Sequence, residues 1–340
     1  MDEQSEIYKS SITEYEAVDY AYRPKSLADF SGQSKAVENL GVYISAAKKR
    51  KEPLDHVIFS GPPGLGKTTL ANIISNELEV DFHQTNAPAL DKKGDLVALL
   101  TKLKEGDVFF IDEIHRLKVE LEEILYSAME DYSVNIIIGQ GISANSISIR
   151  LPKFTLVGAT TRAGLLTRPL LSRFGIDLKL DLYSEEEIIK VIMRTSNVMN
   201  IAISKNAAKE ISKRSRGTPR IANRLIRRLR DFAEVHGNGK IDEEITALSF
   251  SKLGIDHNGL TLNDKKLLGY IIENCHGGPV GLETLSVSIG ETSETVEDVI
   301  EPYLIQKGFL MRTQRGRCAT KKAYSLLGIN LEEIQKDLFN

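Results

Sequence analysis

Residues 61–69 read Gly-Pro-Pro-Gly-Leu-Gly-Lys-Thr-Thr and follow a short apolar run, Val57-Ile58-Phe59. A stretch of the form G-x-x-x-x-G-K-[ST] after a strand is a loop whose backbone N–H groups wrap phosphate oxygens and whose exit opens a helix. It asks for a parallel α/β sheet, because such sheets bind ligands at the carboxyl ends of their strands. By chance the pattern arises in about 1 in 100 chains of this length. A second apolar run, Val108-Phe109-Phe110-Ile111, ends in Asp112 and Glu113, the carboxylates that magnesium-assisted phosphoryl transfer needs. Both runs together, in this order, make chance a poor explanation. The chain is expected to bind and hydrolyse a nucleoside triphosphate, with ATP and Mg²⁺ as the bound pair.

Each residue type in the loop answers one chemical demand. Gly61, Gly64 and Gly66 lack Cβ atoms, so the backbone turns tightly and approaches phosphate. Lys67 brings a point charge to the β/γ-phosphates, and Thr68, followed by Thr69, brings a hydroxyl to Mg²⁺. Asp112 is expected in the Mg²⁺ shell and Glu113 beside the attacking water. The following helix shows apolar residues at Leu121, Ile124, Leu125, Ala128 and Met129, the stripe of a half-buried helix. A third strand, Phe154–Ala159, ends in Thr160-Thr161-Arg162, where a polar side chain can touch the γ-phosphate.

Composition narrows the class. The 340 residues exceed one ordinary core, so two or three domains are expected. Cys275 and Cys318 show no metal or disulfide spacing. Residues 1–19 are mostly acidic and polar, with Lys9 the only base, and no apolar run has the length of a membrane span. A cytoplasmic protein without a membrane segment is the expectation. The net charge is only −3, so contact with nucleic acid must come from local patches. Two exist, at Lys213–Arg230 and at Lys307–Lys322. The first suits a solvated helix face as well as a binding surface.

The motifs as a set resemble a known family. Arg-Pro-Lys at 23–25, Gly-Gln at 32–33, GPPGLGKTTLA at 61–71, IDEIHRL at 111–117, LVGATTRAGLL at 156–166, SRFG at 172–175 and GTPRIANRL at 217–225 resemble the AAA+ ATPases. With AMEDY at 128–132, GGPVGL and EPYLIQKGFL, the resemblance narrows to the bacterial Holliday-junction branch-migration motors, from about residue 15 to 328. It implies that Tyr22 and Arg23 border the adenine, that Tyr183 packs on the base, and that Thr160 is the first sensor, with Thr161 beside it. It also implies that Arg220 is the second sensor and Arg173 the arginine finger reaching a neighbouring subunit's γ-phosphate. Glu130, Asp131 and Tyr132 then lie near a subunit boundary and its nucleotide, although Tyr132 suits the core equally well. Arg168 is a rival for the finger, but Pro169 after it suggests a turn. A finger supplied in trans implies a ring, a homo-hexamer in the family. The implied partners are duplex DNA, Holliday junctions, a RuvA-type junction-binding protein and a RuvC-type resolvase, in recombination and DNA repair. The chemistry agrees, since an always-charged planar guanidinium answers charge on a transferring phosphoryl group.

The expected organisation is a large AAA+ P-loop domain at 1–182, a small helical lid at 183–255 and a winged helix at 256–340. Within the first, residues 134–151 alternate as a β-hairpin, which the resemblance makes the docking site of the RuvA-type partner through Ile137 and Ile142. A strand pair packed on the core explains the same pattern. Ser184 with three following glutamates reads as a helix start, and Gly254–Gly259 as a linker. In the winged helix the third helix carries Glu294, Glu297, Asp298 and Glu301, which repel phosphate, while the wing carries Arg312, Arg315 and Arg317. That pattern suits a grip on the DNA backbone without base reading. Two other readings stand beside the motor: a clamp-loader-like ATPase and an ATP-controlled winged-helix transcription regulator. Replacing Ile137 or Ile142 with Asp is expected to abolish binding of the RuvA-type protein in a pull-down while basal ATP turnover persists.

Overall fold

A computed structural model of the chain describes residues 22–138 and 145–329. The chain divides into two units after Tyr183. Among the described residues the first opens with α1 (Ser34–Arg50) and holds a five-stranded sheet in the order β2-β3-β6-β1-β7, all strands parallel. These are β1 (Val57–Ser60), β2 (Phe82–Asn86), β3 (Val108–Asp112), β6 (Thr155–Thr160) and β7 (Ile176–Lys179). Sequence sorts them by depth. β1, β3 and β6 are nearly continuous apolar runs and lie buried on both faces, as central parallel strands must. The polar β2 and the alternating β7 take the two edges.

Among the described residues, α2 (Lys67–Leu78), α3 (Lys93–Leu100) and α4 (Val119–Glu130) lie between β1 and β6. In α4 the expected stripe is buried at Leu121, Leu125, Ala128 and Met129, and it packs in one cluster with Phe109, Phe154 and Leu156. His56 closes this cluster with a defined tautomer. Its Nδ1 accepts the Leu156 N–H at 2.9 Å, so Nε2 carries the proton and donates to the Met129 carbonyl at 3.2 Å. Burial pushes its pKa below the ordinary 6.5 and keeps the ring neutral.

The expected hairpin is present as β4 (Ser133–Ile138) paired antiparallel with β5 (Asn145–Arg150). At its base Val134 is buried, whereas Ile147 is half exposed. Ile137 pairs through its backbone with Ser146, and Ile142 lies outside the described residues. After β6, Arg168–Leu171 forms a one-turn helix, α5, where a turn was expected. Pro169 is admitted because the first helical turn has no partner for its N–H, and the Thr167 hydroxyl caps the turn.

The second unit begins with four helices, α6 (Glu185–Val198), α7 (Lys205–Arg214), α8 (Pro219–His236) and α9 (Glu243–Leu253). Ser184 and Glu187 form the expected capping box at the start of α6. Along α8, Ala222, Leu225, Ile226, Leu229 and Ala233 are buried. Its arginines therefore fall on other faces, where Arg228 and Arg230 pair with Asp231 and Glu234. Arg214 lies over the Phe250 ring and on Glu210. Much of the basic patch thus serves the lid's own helices.

A winged helix follows. Its helices are α10 (Leu262–Gly269), prolonged by a π-type turn at Tyr270–Asn274, and α11 (Leu282–Ile289). The third, α12, runs through Ser293–Thr295, Val296–Ile300 and Glu301–Gln306 with a π-type middle. The wing is β8 (Leu310–Thr313) against β9 (Gly316–Ala319), with Val280 bridged to Arg317 on the other side of β9. α13 (Lys321–Leu327) closes a core around Leu267, Ile271, Leu304 and Phe309.

The wing corrects one expectation. Arg317 does not face solvent: it is buried, and its guanidinium meets the buried Glu301 carboxylate at 2.9–3.2 Å. The alternation of β9 turns it inward, and Glu301 on α12 turns to meet it. Arg315 is exposed, and Arg312 is exposed with Glu297 at 3.2 Å. Glu297 and Glu301 of the third helix thus answer arginines of the wing. Removing one partner of a buried pair costs about 3–5 kcal/mol. Arg317→Ala is therefore expected to lower the calorimetric Tm of the winged helix sharply, while Arg315→Ala leaves it unchanged.

Candidate nucleotide site

Parallel pairing brings the loop, the carboxylates and the Thr160 hydroxyl to one end of the sheet. β1 and β6 run in register to Ser60 beside Thr160, and the Gly61 N–H donates to the Thr160 carbonyl at 3.2 Å. β3 lies on the other side of β6, with Ile111 beside Gly158, so Asp112 ends next to the same corner. The loop leaves β1 with Gly61 at φ 140° and enters α2 with Gly66 at φ 102°. A Cβ on Gly61 would stand 2.3 Å from the Leu180 carbonyl oxygen, and one on Gly66 would stand 3.0 Å from the Phe30 ring. Only glycine fits either place, and the resulting cradle has the shape a phosphate chain requires.

Lys67, the first residue of α2, is buried, and its ammonium donates to the Gly61 and Pro62 carbonyls at 2.7 and 2.9 Å. The charge is thereby stored against the loop. Thr68 and Asp112 supply hard oxygen donors of the kind Mg²⁺ takes, so the residues present fit that ion. The Asp112 carboxylate accepts the Glu113 N–H at 3.0 Å.

Glu113 occupies the left-handed region, φ 51°, unusual for a side-chain-bearing residue. That turn starts a short helix at Ile114–Arg116 and swings His115 back toward β6. The His115 Nδ1 lies 3.0 Å from the Thr160 hydroxyl and 3.4 Å from the Glu113 carboxylate. The Thr161 hydroxyl lies 3.4 Å from the same Glu113 oxygen. Glu113, His115, Thr160 and Thr161 thus form one polar group in which the Glu113 carboxylate and the Thr160 hydroxyl share a nearly buried imidazole. Sequence reasoning stopped at Asp112-Glu113 and missed His115, because nothing local announces a left-handed glutamate.

The Tyr183 ring is buried and its hydroxyl donates to the Leu65 carbonyl at 3.1 Å. Gln33 clasps Asp181 through both amide groups, accepting its N–H at 3.2 Å and donating to its carbonyl at 2.5 Å. Tyr22 and Arg23 are half-buried just upstream.

Arg173 stands on a different set of elements. It donates to the Pro169 carbonyl at 2.6 Å and to the Glu130 carboxylate at 3.0 Å, with the guanidinium 4.5 Å over the Tyr126 ring. Glu130 therefore answers Arg173 within the chain. Asp131 is exposed, and Tyr132, at φ 48°, turns its ring onto Phe154, 6.0 Å edge to face. Tyr132 is a core contact. Arg220 is exposed on the first turn of α8 in the second unit.

This sheet order, loop and carboxylate end, followed by a helical lid, define a P-loop ATPase of the AAA+ class. Three family profiles match in succession: the Holliday junction DNA helicase RuvB P-loop domain at 22–180, the RuvB AAA lid domain at 183–256 and the RuvB C-terminal winged helix domain at 257–328. The chain belongs to the RuvB family. It is 57% identical over 321 residues to the Holliday junction branch migration complex subunit RuvB of Treponema denticola, covering 94% of each chain. The subunit of the same name from Parabacteroides distasonis is 57% identical over 315 residues, covering 93% of this chain and 92% of the relative. The solved structure of the Thermotoga maritima RuvB Holliday junction branch migration motor superposes with a TM-score of 0.83 at 49% identity, covering 92% of this chain and 99% of that one.

If His115 positions Glu113 against the sensor, His115→Ala lowers kcat for ATP roughly ten-fold or more while KM changes by less than about two-fold. Steady-state ATPase assays read both constants; a change confined to KM would place His115 in nucleotide binding instead.

Proposed function

We propose that this chain is an ATP-driven motor that pumps duplex DNA through a homo-hexameric ring and so drives branch migration of Holliday junctions. The observation that carries the reading is the unbroken succession of RuvB P-loop, lid and winged-helix domains along 22–328. The polar group at the end of β3 and β6 supplies the matching chemistry.

Lys67 leaves the loop carbonyls for the β/γ-phosphates, and the loop N–H groups hold the chain of phosphates in line. Thr68 and Asp112 would hold Mg²⁺, which would supply positive charge against the phosphate oxygens. Glu113, oriented by His115 and Thr161, draws a proton from the attacking water, and Thr160 senses the γ-phosphate. Tyr22, Arg23 and Tyr183 enclose the adenine, and Arg220 serves as the second sensor. Arg173 acts on a neighbouring subunit's nucleotide. Within the chain its guanidinium rests on the Pro169 carbonyl, the Glu130 carboxylate and the Tyr126 ring, partners it would exchange for that nucleotide's phosphate.

The winged helix grips backbone phosphate through Arg312 and Arg315. A RuvA-type protein docks at the hairpin tip, a RuvC-type resolvase acts on the same junctions, and the work is done in the cytoplasm during recombination and DNA repair. No helix among the described residues is long and apolar enough to cross a membrane.

The decisive experiment compares ATP turnover on random duplex and on four-way junctions, together with junction dissociation, with and without the RuvA-type protein. Sequence-independent stimulation and partner-enhanced dissociation are expected, whereas a strict promoter requirement would favour a transcription regulator. Arg173→Ala is expected to keep ATP affinity within about two-fold and lose about 10³-fold or more in turnover, with unchanged turnover rejecting the assignment.

A further inference from the structure

Resting on the motor reading above, we infer that Arg216 is a positioning residue that locks the lid to the winged helix, so that movement of the Arg220 turn is delivered to the DNA grip. Arg216 follows α7 and lies four residues before Arg220, in the left-handed conformation at φ 55°. Its guanidinium reaches out of the lid. Nε donates to the Gly259 carbonyl at 3.0 Å, Nη1 to Asp264 at 3.4 Å and Nη2 to the other Asp264 oxygen. The same plane lies 4.5 Å over the ring of Tyr303. One lid side chain thereby holds the connecting segment, α10 and α12 together.

Every partner is itself anchored. Asp264 is fully buried and caps α10, accepting the Thr261 N–H and hydroxyl at 2.6 Å each. The Tyr303 hydroxyl donates to the Asn258 carbonyl, and burial pushes that phenol's pKa up to about 12. Asp256 accepts the N–H groups of Asn258 and Leu260 at 2.9 Å and pairs with Lys265 at 3.1 Å. A Cβ on Gly259 would stand 3.1 Å from the Arg214 backbone and 3.2 Å from the Tyr303 hydroxyl, so the segment is pressed between lid and winged helix.

The stretch that composition marks as a loose linker is thus a clamped joint. A buried guanidinium with a fixed fork geometry and a buried carboxylate tolerates little angular play, because any rotation leaves a charge unpaired in a dry place. A floppy connection would absorb a displacement of α8; this one carries it to α12 and the wing.

Two variants test the joint. R216M/D264N removes both charges together, so that no lone ion is left buried, and Tyr303→Phe removes only the hydroxyl. For each, three quantities are measured: ATP turnover without DNA, base pairs of junction migration per ATP, and chymotryptic cleavage after Leu260. Circular dichroism checks the fold. In R216M/D264N, turnover without DNA is expected within about two-fold of the original protein. Migration per ATP is expected to fall about ten-fold or more, and cleavage after Leu260 to rise about ten-fold or more. Tyr303→Phe moves both in the same direction by less. Unchanged cleavage in a folded variant overturns the joint, and equal loss of turnover and migration assigns Arg216 to the ATP chemistry instead. If R216M/D264N does not fold, Tyr303→Phe decides by the same readings. A failure of the original protein to move junctions defeats the motor reading alone, and cleavage then decides the joint by itself.

Discussion

The parallel pairing of β6 with β1 and β3 is the constraint on which the nucleotide site depends. Parallel strands share one carboxyl end, so whatever follows each strand is brought to a single edge. The loop after Ser60, the carboxylates after Ile111 and the hydroxyls at Thr160 and Thr161 meet there without any contact between them in sequence. An antiparallel partner in the middle would have sent one of these groups to the opposite edge. The apolar content of the three central strands secures that pairing, because each must be covered on both faces.

Charge placement follows a related logic in the second unit. Each deeply placed arginine has an answering carboxylate: Arg216 on Asp264 and Arg317 on Glu301. Such pairs contribute little net stability against a well-packed apolar alternative, yet they define geometry strictly. Their value here is orientation. One fixes how the wing strand lies on α12, and the other fixes how the winged helix leaves the lid. Arg315 and Arg220, by contrast, are exposed.

Legibility differed between these two kinds of feature. The loop, the strand carboxylates, the α4 stripe, the Ser184 cap and the order of helices and hairpin in the winged helix were all readable, because each rests on local spacing or periodicity. The role of Arg317 was not readable from the wing, since strand alternation gives two faces and no sign of which one is inward. Tyr132 was open between core and site until its ring was seen against Phe154. His115 escaped notice because its place depends on a left-handed backbone at Glu113, which no propensity favours. Arg216 was one charge among eight in a basic run until the fold brought Asp264 to it.

By itself the sequence determined the class of fold, the phosphate loop, the strand-end carboxylates and the family, since these are written in short contiguous motifs. Tertiary structure decided which charged side chains stay exposed and which pair with one another. That division depends on partners far apart in the chain, such as Arg317 with Glu301 and Arg216 with Asp264. Burial makes the difference between them, because a charge out of water must find its counter-ion, and only the folded chain determines which one is near.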